Sequence, residues 1–306
     1  MKERTRKRII IWFWILFALP IVGVTALVLS VVKFAQIPSF EELEHPNNNL
    51  ATRLISSDGV VISTFHIENR TYVSYEDISP NVIHAAVATE DARFYNHSGV
   101  DFQSLGRVLF KTLLMRDSSQ GGGSTITQQL AKTLYPREEL LTGFPGAKYV
   151  SMVWIKMKEW VTAVKLERNY TKEEIVAMYL NSIFYGSGAY GIKAAGETFF
   201  GKEPCELNIQ EAALLVGAVN KPTRYNAALH PEAAKTRRDF VISQMAKAGY
   251  ISESDKVLAQ NSPIELNYSV QDHNSGLAPY FRDMIRKEMS ASKPKRSQYL
   301  YEDEYV

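Results

Sequence analysis

The chain has little of what marks several common protein classes. One cysteine, Cys205, stands among 306 residues, which excludes a disulfide framework and a cysteine-built metal centre. No motif surrounds it, so it reads as an inert side chain rather than a nucleophile. Charge of neither sign is in excess: 35 Lys and Arg against 33 Asp and Glu leave a net charge of +2. This gives no global field suited to a polyanion, and no segment interleaves basic and aromatic residues as nucleic-acid binders do, so no nucleic-acid partner is expected. Internal repeats and low-complexity blocks are missing, and so are long strands beyond residue 66. What remains, 45% hydrophobic and 22% charged residues, is ordinary for a globular chain. The length allows one large domain or two small ones with an ample core.

A single long apolar run is present. Ile9 to Val32 carries no charge over 24 residues, and at about 1.5 Å per residue a helix of that length exceeds the roughly 30 Å hydrocarbon core of a bilayer. Lys2, Arg4, Arg6, Lys7 and Arg8 precede it against Glu3 alone, a bias that keeps the N-terminus in the cytoplasm and places the chain beyond Lys33 outside. Trp12 and Trp14 sit near one end as interfacial aromatics do, and Pro20 is tolerated in a bilayer-buried helix. A cleaved secretory signal fits less well, because the run is longer than a usual signal core and no small-x-small site closes it. The expected order is a cytoplasmic tail over 1–8, a transmembrane helix over 9–32, a linker with a β-hairpin over 33–75, a mainly α domain over 76–250 and a C-terminal extension over 251–306.

Within the linker, β-branched runs flank Asp58-Gly59, a strong hairpin signal, and a further short strand is expected at 70–74. From Ser79 the pattern is helical. Ser79-Pro80 supplies an N-cap and an N1 proline, and Val82, Ile83, Ala86 and Val87 give an apolar face ending near Glu90 and Asp91. Further helices are expected at 101–115, 124–135, 150–168, 172–182, 209–219 and 231–248, with a capping box at Thr171 and Glu174.

Three segments carry chemistry. In the first, Glu90 and Asp91 are adjacent carboxylates at a helix end, with Phe94 and His97 four and seven residues beyond Glu90. A solvated acidic helix end is the ordinary reading of such a pair, and His97 alone reads as a structural hydrogen-bonder. Yet the macrodipole disfavours negative charge at a C-terminus, so a pair kept there points to use. In the second, Gly121-Gly-Gly-Ser124 opens a helix whose Thr125, Gln129 and Lys132 form a polar stripe opposite the apolar Ile126, Leu130 and Leu134. Free N–H groups at a helix start bind anions, and an ordinary surface helix would carry more Glu and Lys. The glycine–lysine spacing is wrong for a Walker A loop. The third, Lys156 to Glu167, sets Lys156, Glu159, Ala163 and Glu167 on one helix face; a Lys–Glu pair at that spacing is commonly a weak surface ion pair. Two matches mislead. Gly186-Ser-Gly-Ala-Tyr-Gly191 fits the dinucleotide pattern but follows a helix, and Ser290-Ala-Ser-Lys293 fits S-x-x-K without S-D-N or K-T-G partners.

Taken in order, these segments resemble the peptidoglycan glycosyltransferases of glycosyltransferase family 51, above all the N-terminal part of class A penicillin-binding proteins. Glu90-Asp-Ala-Arg-Phe-Tyr-Asn-His97-Ser-Gly99 resembles the first family motif and Gly122-Gly-Ser-Thr-Ile-Thr-Gln-Gln129-Leu-Ala-Lys132 the second. Lys156-Met-Lys-Glu159 with Leu166-Glu167 resembles the third, Lys172 to Asn181 with Tyr185-Gly186 the fourth, and Glu211 to Pro222 with Tyr225-Asn226 the fifth. The resemblance implies a mainly α, lysozyme-like domain that polymerises lipid II outside the bacterial cytoplasmic membrane, with inversion and release of undecaprenyl pyrophosphate. It implies Glu90 as catalytic base and Glu159 as second carboxylate. Lys132 and Lys156, with Ser124, Thr125 and Gln129, would bind the pyrophosphate, while Asp91, Phe94 and His97 would build the site around Glu90. No protein metal centre is implied. The one cofactor it admits is a divalent cation, Mg2+ or Mn2+, bridging the pyrophosphate. Implied partners are lipid II, the growing glycan strand, inner-membrane lipid and other cell-wall synthesis proteins.

The sequence departs from the family pattern at Ile155, where an arginine is usual, and at Thr133, where asparagine is common. The alternatives are a catalytically silent membrane-anchored scaffold and a lysozyme-like lytic enzyme. Apolar groups between 105 and 145 (Leu109, Leu113, Leu140, Leu141 and Phe144) are expected to touch the bilayer. Gly276 to Arg282 resembles the connection to a transpeptidase domain.

Overall fold

The computed structural model describes residues 3–34, 52–55, 61–65, 72–115, 123–134, 147–269 and 284. The Asp58-Gly59 turn, Leu140, Leu141, Phe144, the 276–282 segment and Ser290 to Lys293 lie outside them, as do the side chains of Leu109 and Leu113. The fold is mainly helical with two small antiparallel hairpins. The first helix, α1 (Glu3–Phe34), takes in the whole apolar run and exposes Trp12, Leu16, Leu19 and Val22. Over the described residues, no helix is long and apolar enough to cross a membrane. Strands β1 (Thr52–Ile55) and β2 (Val61–Phe65) pair antiparallel with Thr52 opposite Phe65, the hairpin expected around Asp58-Gly59.

No strand forms at 72–74. The Asn181 side chain takes the part of a neighbouring strand there: its Oδ1 accepts the Val73 N–H at 3.0 Å and its Nδ2 donates to the Val73 carbonyl at 2.8 Å. An amide side chain presents one donor and one acceptor, as a peptide does.

Helix α2 (Pro80–Glu90) starts as expected, Ser79 Oγ accepting the Asn81 N–H. It is more central than one apolar face predicts, since Val82, Ile83 and all of Ala85–Ala88 are buried. Small residues on the remaining faces let other helices close in. Then come α3 (Phe102–Met115), α4 (Ile126–Leu134), α5 (Ala147–Asn169) and α6 (Lys172–Ser182), the last capped by the expected Thr171–Glu174 box. The apolar α8 (Ile209–Val219), α2 and α9 (Pro231–Lys247) pack on one another, and α4 packs on α5 and α6.

The pattern of the sequence missed α7 (Ile192–Phe200), α10 (Glu253–Asn261) and a second hairpin, β3 (Phe184–Gly186) with β4 (Ala189–Tyr190). A strand therefore does precede the Gly186–Gly191 segment and a helix comes after it. The dinucleotide reading fails on different grounds: β3 pairs antiparallel with β4 in a two-stranded hairpin, with no parallel βαβ unit to cradle a pyrophosphate. Gly186 and Gly188 serve the tight turn and Gly191 stands at the N-cap of α7, all at positive φ.

Packing continues past residue 250. Ala259, Ile264 and Leu266 lie on the core. The buried Arg238 donates to the Ser262 and Gln260 carbonyls at 2.8 and 2.9 Å, and residues 267–269 hydrogen-bond to Phe199 and Thr198.

One glycine fixes the spacing of the central elements. Gly99 has φ +86°, and a Cβ there would stand 2.8 Å from the Ala163 carbonyl carbon of α5. Its own carbonyl accepts from Thr125 Oγ1 at 2.7 Å and Gln128 Nε2 at 3.2 Å, so this residue joins the loop after α2 to both α4 and α5. Gly99→Ala is expected to cost more than about 2 kcal/mol through backbone strain and the clash with α5, read as a lowered midpoint in chemical denaturation.

Candidate active site

Glu90 is the last residue of α2 and Asp91 its C-cap. The helix stops there, so Phe94 and His97 do not continue its face; Phe94–Asn96 form a separate 3-10 turn. Asp91 escapes the unfavourable end of α2 by turning to the favourable end of α4. Its Oδ2 accepts the Ile126 N–H at 3.1 Å, one of the donors a helix start leaves unpaired, and His97 Nε2 at 3.0 Å. The Asp91 and His97 side chains are each only 5% exposed. Asp91 is therefore spent on architecture: one carboxylate ties together the end of α2, the following loop and the start of α4. Phe94 is fully buried, with the Lys172 ammonium 4.3 Å from its ring centroid. Lys172 also donates to the His97 carbonyl at 2.7 Å and pairs with Glu167 at 2.7 Å, and Glu167 accepts from Thr127 at 2.6 Å.

Glu90 is left half-buried and nearly free. Its Oε2 accepts from Gln129 Nε2 at 3.0 Å, while Oε1 has no hydrogen-bond partner among the described residues. Gln129 Oε1 accepts in turn from the buried Tyr179 hydroxyl at 3.0 Å. Burial, with Glu90, Tyr185 and Asp91 nearby, pushes the Tyr179 phenol well above its ordinary pKa.

At the other end of α4, Lys156 of α5 donates to Ser124 Oγ at 3.0 Å and to Glu159 Oε2 at 2.7 Å. This pair is no mere surface contact, since the Glu159 side chain is 14% exposed. Lys132 is exposed and has no polar partner among the described residues. The expected stripe on α4 is thus divided. Gln129 turns to Glu90 and Lys132 to solvent, while the buried Thr125 spends its hydroxyl on the Gly99 carbonyl and the Gln128 N–H. Ser124 and Gln129 lie five residues apart, on the order of 8 Å along a helix axis. The site therefore sets Glu90 against Gln129, within α4, and Lys156 against Ser124, just ahead of its first turn. Ile155 is half-buried on α5 beside Lys156 and adds no charge.

Two positions invite a cation. Asp91, His97 and Asp101 bring ligand atoms within 4.8 Å of one another, but Asp101 is saturated. Its Oδ1 accepts the Gln103 and Ser104 N–H groups, and its Oδ2 meets the Ser104 hydroxyl and the Arg93 guanidinium. The second, Glu159, keeps one oxygen without a partner among the described residues.

Sequence reasoning missed Tyr179, Lys172 and Asp101 as supports of the site. Lys172 and Tyr179 lie within the fourth motif without a role assigned to either, and Asp101 left a local signal as a carboxylate N-cap ahead of Ser104.

Residues 58–246 match the family model described as Transglycosylase, and the chain belongs to that family, glycosyltransferase family 51, as its motifs implied. It is 35% identical over 238 residues to penicillin-binding protein 1F of Bacillus subtilis, spanning 78% of this chain and 32% of that one. Penicillin-binding protein 1A of Aquifex aeolicus is 36% identical over 261 residues, 85% of this chain and 34% of its own length. The protein of the same name from Pseudomonas aeruginosa is 36% identical over 253 residues, 83% and 29%. The chain spans about a third of the length of these curated relatives.

Burial would raise the Asp101 carboxyl, but its bonds from Ser104 and the Arg93 charge outweigh that and hold it below the usual range. A depressed folded pKa contributes stability above the unfolded pKa and loses it as pH falls through the folded one. Asp101→Asn, which keeps a capping oxygen but removes the charge, is therefore expected to be less stable than wild type at neutral pH, and the gap should close as urea midpoints are followed into acid.

Proposed function

We propose that the chain is an inverting peptidoglycan glycosyltransferase that builds β-1,4 glycan strands from lipid II on the outer side of a bacterial cytoplasmic membrane. One observation carries the reading: α4 presents a half-free carboxylate at Gln129 and an ammonium at Ser124. A transferase that activates a hydroxyl and discharges a pyrophosphate needs both kinds of group, one on each side of the anomeric carbon at which both bonds change. Membership of the transglycosylase family supports it.

In this mechanism Glu90 Oε1 takes the proton of the acceptor's terminal GlcNAc 4-hydroxyl. That oxygen attacks C1 of the donor MurNAc from the face opposite the phosphate. The C1–O bond breaks, its electron pair leaves with undecaprenyl pyrophosphate, and the α-linked donor becomes a β-linked product. Lys156 and Lys132 meet the charge that grows on the departing phosphate, with the Ser124 hydroxyl beside them. Gln129 steadies the base, and Asp91, Phe94, His97 and Thr125 hold the loop and helix that carry it. Glu159 fixes the Lys156 ammonium, and its second oxygen is the ligand offered to a Mg2+ or Mn2+ ion, which when bound adds positive charge at the pyrophosphate.

The substrate's lipid places the domain at a bilayer. The unbroken 9–32 run and the basic residues before it support a single-pass anchor with the N-terminus inside. The first turns of α5 expose Tyr149, Val150, Met152 and Val153, and α3 exposes Phe102 and Phe110, apolar surface suited to the same membrane. The mainly helical domain is read as lysozyme-like, and the segment beyond 269 as a connection to a transpeptidase domain.

Incubation with lipid II alone is expected to yield growing glycan strands. Glu90→Gln should lower the rate at least ~100-fold, about 2.7 kcal/mol, without loss of folding. No turnover by wild type would favour the silent scaffold, and shortening of preformed glycan without polymerisation the lytic enzyme. Removal of residues 1–34 should sharply reduce co-sedimentation with anionic lipid vesicles, and unchanged sedimentation would contradict the anchor.

A further inference from the structure

The contact between Glu90 and Gln129 depends on which way the Gln129 amide points, and neither residue decides that alone. A carboxylate only accepts hydrogen bonds, whereas a glutamine amide has one accepting and one donating end. With its NH2 toward Glu90, Gln129 stabilises the ionised carboxylate. Flipped, it sets a carbonyl oxygen against Glu90 and stabilises the protonated acid, which is useless as a base.

Tyr179 bears on this choice from α6. Its side chain is among the buried groups, with 2% of the residue exposed, and its hydroxyl has one polar partner among the described residues, Gln129 Oε1 at 3.0 Å. A buried O–H left without an acceptor is costly. If the amide flipped, its NH2 would point at the phenol oxygen and the phenol proton would have no acceptor. The phenol keeps its proton throughout the working range, because burial and the nearby carboxylates raise its pKa. Ser182 and Tyr185, the neighbouring hydroxyls on this side, are engaged elsewhere, with the Tyr179 and Leu180 carbonyls.

We infer that Tyr179 is a positioning residue for the base: its hydroxyl locks the Gln129 amide with the NH2 toward Glu90, so that Oε2 is held and Oε1 is left for the acceptor hydroxyl. The inference rests on the transferase reading of Glu90. Tyr179 does not touch substrate and acts through Gln129, so its effect should fall on turnover rather than on affinity.

The test measures kcat and KM for lipid II in the full chain. Tyr179→Phe keeps the ring and removes the donor. It is expected to lower kcat about 10-fold with KM within twofold, and to add nothing when combined with Gln129→Ala, whose own kcat is expected to be no higher. Tyr179→4-aminophenylalanine restores a neutral donor and should recover kcat to within about threefold of wild type. That variant stays informative even if Tyr179→Phe does not fold. A Tyr179→Phe loss carried by KM, an added loss in the Gln129→Ala background, or failure of the aminophenylalanine variant to recover kcat would each overturn the relay. An inactive wild type would instead count against the transferase reading.

Discussion

The Asp91 carboxylate is the constraint on which the rest of the site depends. It lies at the end of α2, where helix carbonyls repel negative charge, and is held by the first N–H of α4 and by His97. A buried carboxylate is tolerated only when its lone pairs are filled, so this group fixes three elements at once. Glu90 is the neighbouring residue and inherits that rigidity. α2 ends in a well-packed core, α4 is pinned to it, and Glu90, the proposed base, stands at the junction with one oxygen without a partner among the described residues.

Around that junction, polar groups that look like ligand contacts in isolation prove to be divided between two tasks. Thr125, Thr127, Glu167 and Lys172 close bonds within the protein, and with Gly99 they set the separation of α4, α5 and α6. Glu90, Lys132, Lys156 and Glu159 keep capacity for something else. The division follows burial only in part. Thr125 and Thr127 lie inside and Lys132 in solvent, whereas Glu159 keeps spare capacity at 14% exposure and Lys172 closes its bonds at 21%.

The cationic end is lean. Ile155 brings no charge, and Lys156 is shared with Ser124 and Glu159. That sharing holds the ammonium in one place, the preorganisation that its proposed role toward a leaving phosphate calls for. It also makes Lys132, free of partners among the described residues, the more adaptable of the two cations.

Much was legible in the sequence because it rests on short-range physics. The helix starts at Ser79-Pro80 and Thr171, the hairpin about Asp58-Gly59, the end of α2 at Glu90 and the motifs that announced the family are all set by residues a few positions apart. Less was legible where distant residues meet. The strand expected near 72 gave way to Asn181, more than a hundred residues away. α7 comes after positive-φ glycines that a linear pattern reads as loop. Tyr179 sits in an apolar helix with no local mark of its link to Glu90. The sequence by itself determined which residues are available for chemistry and on which helices they ride, because propensity, capping and spacing are local. Only the tertiary structure decided that Asp91 is bound up in support while Glu90 keeps an oxygen without a partner among the described residues, because that difference lies in which lone pairs the packed helices happen to fill.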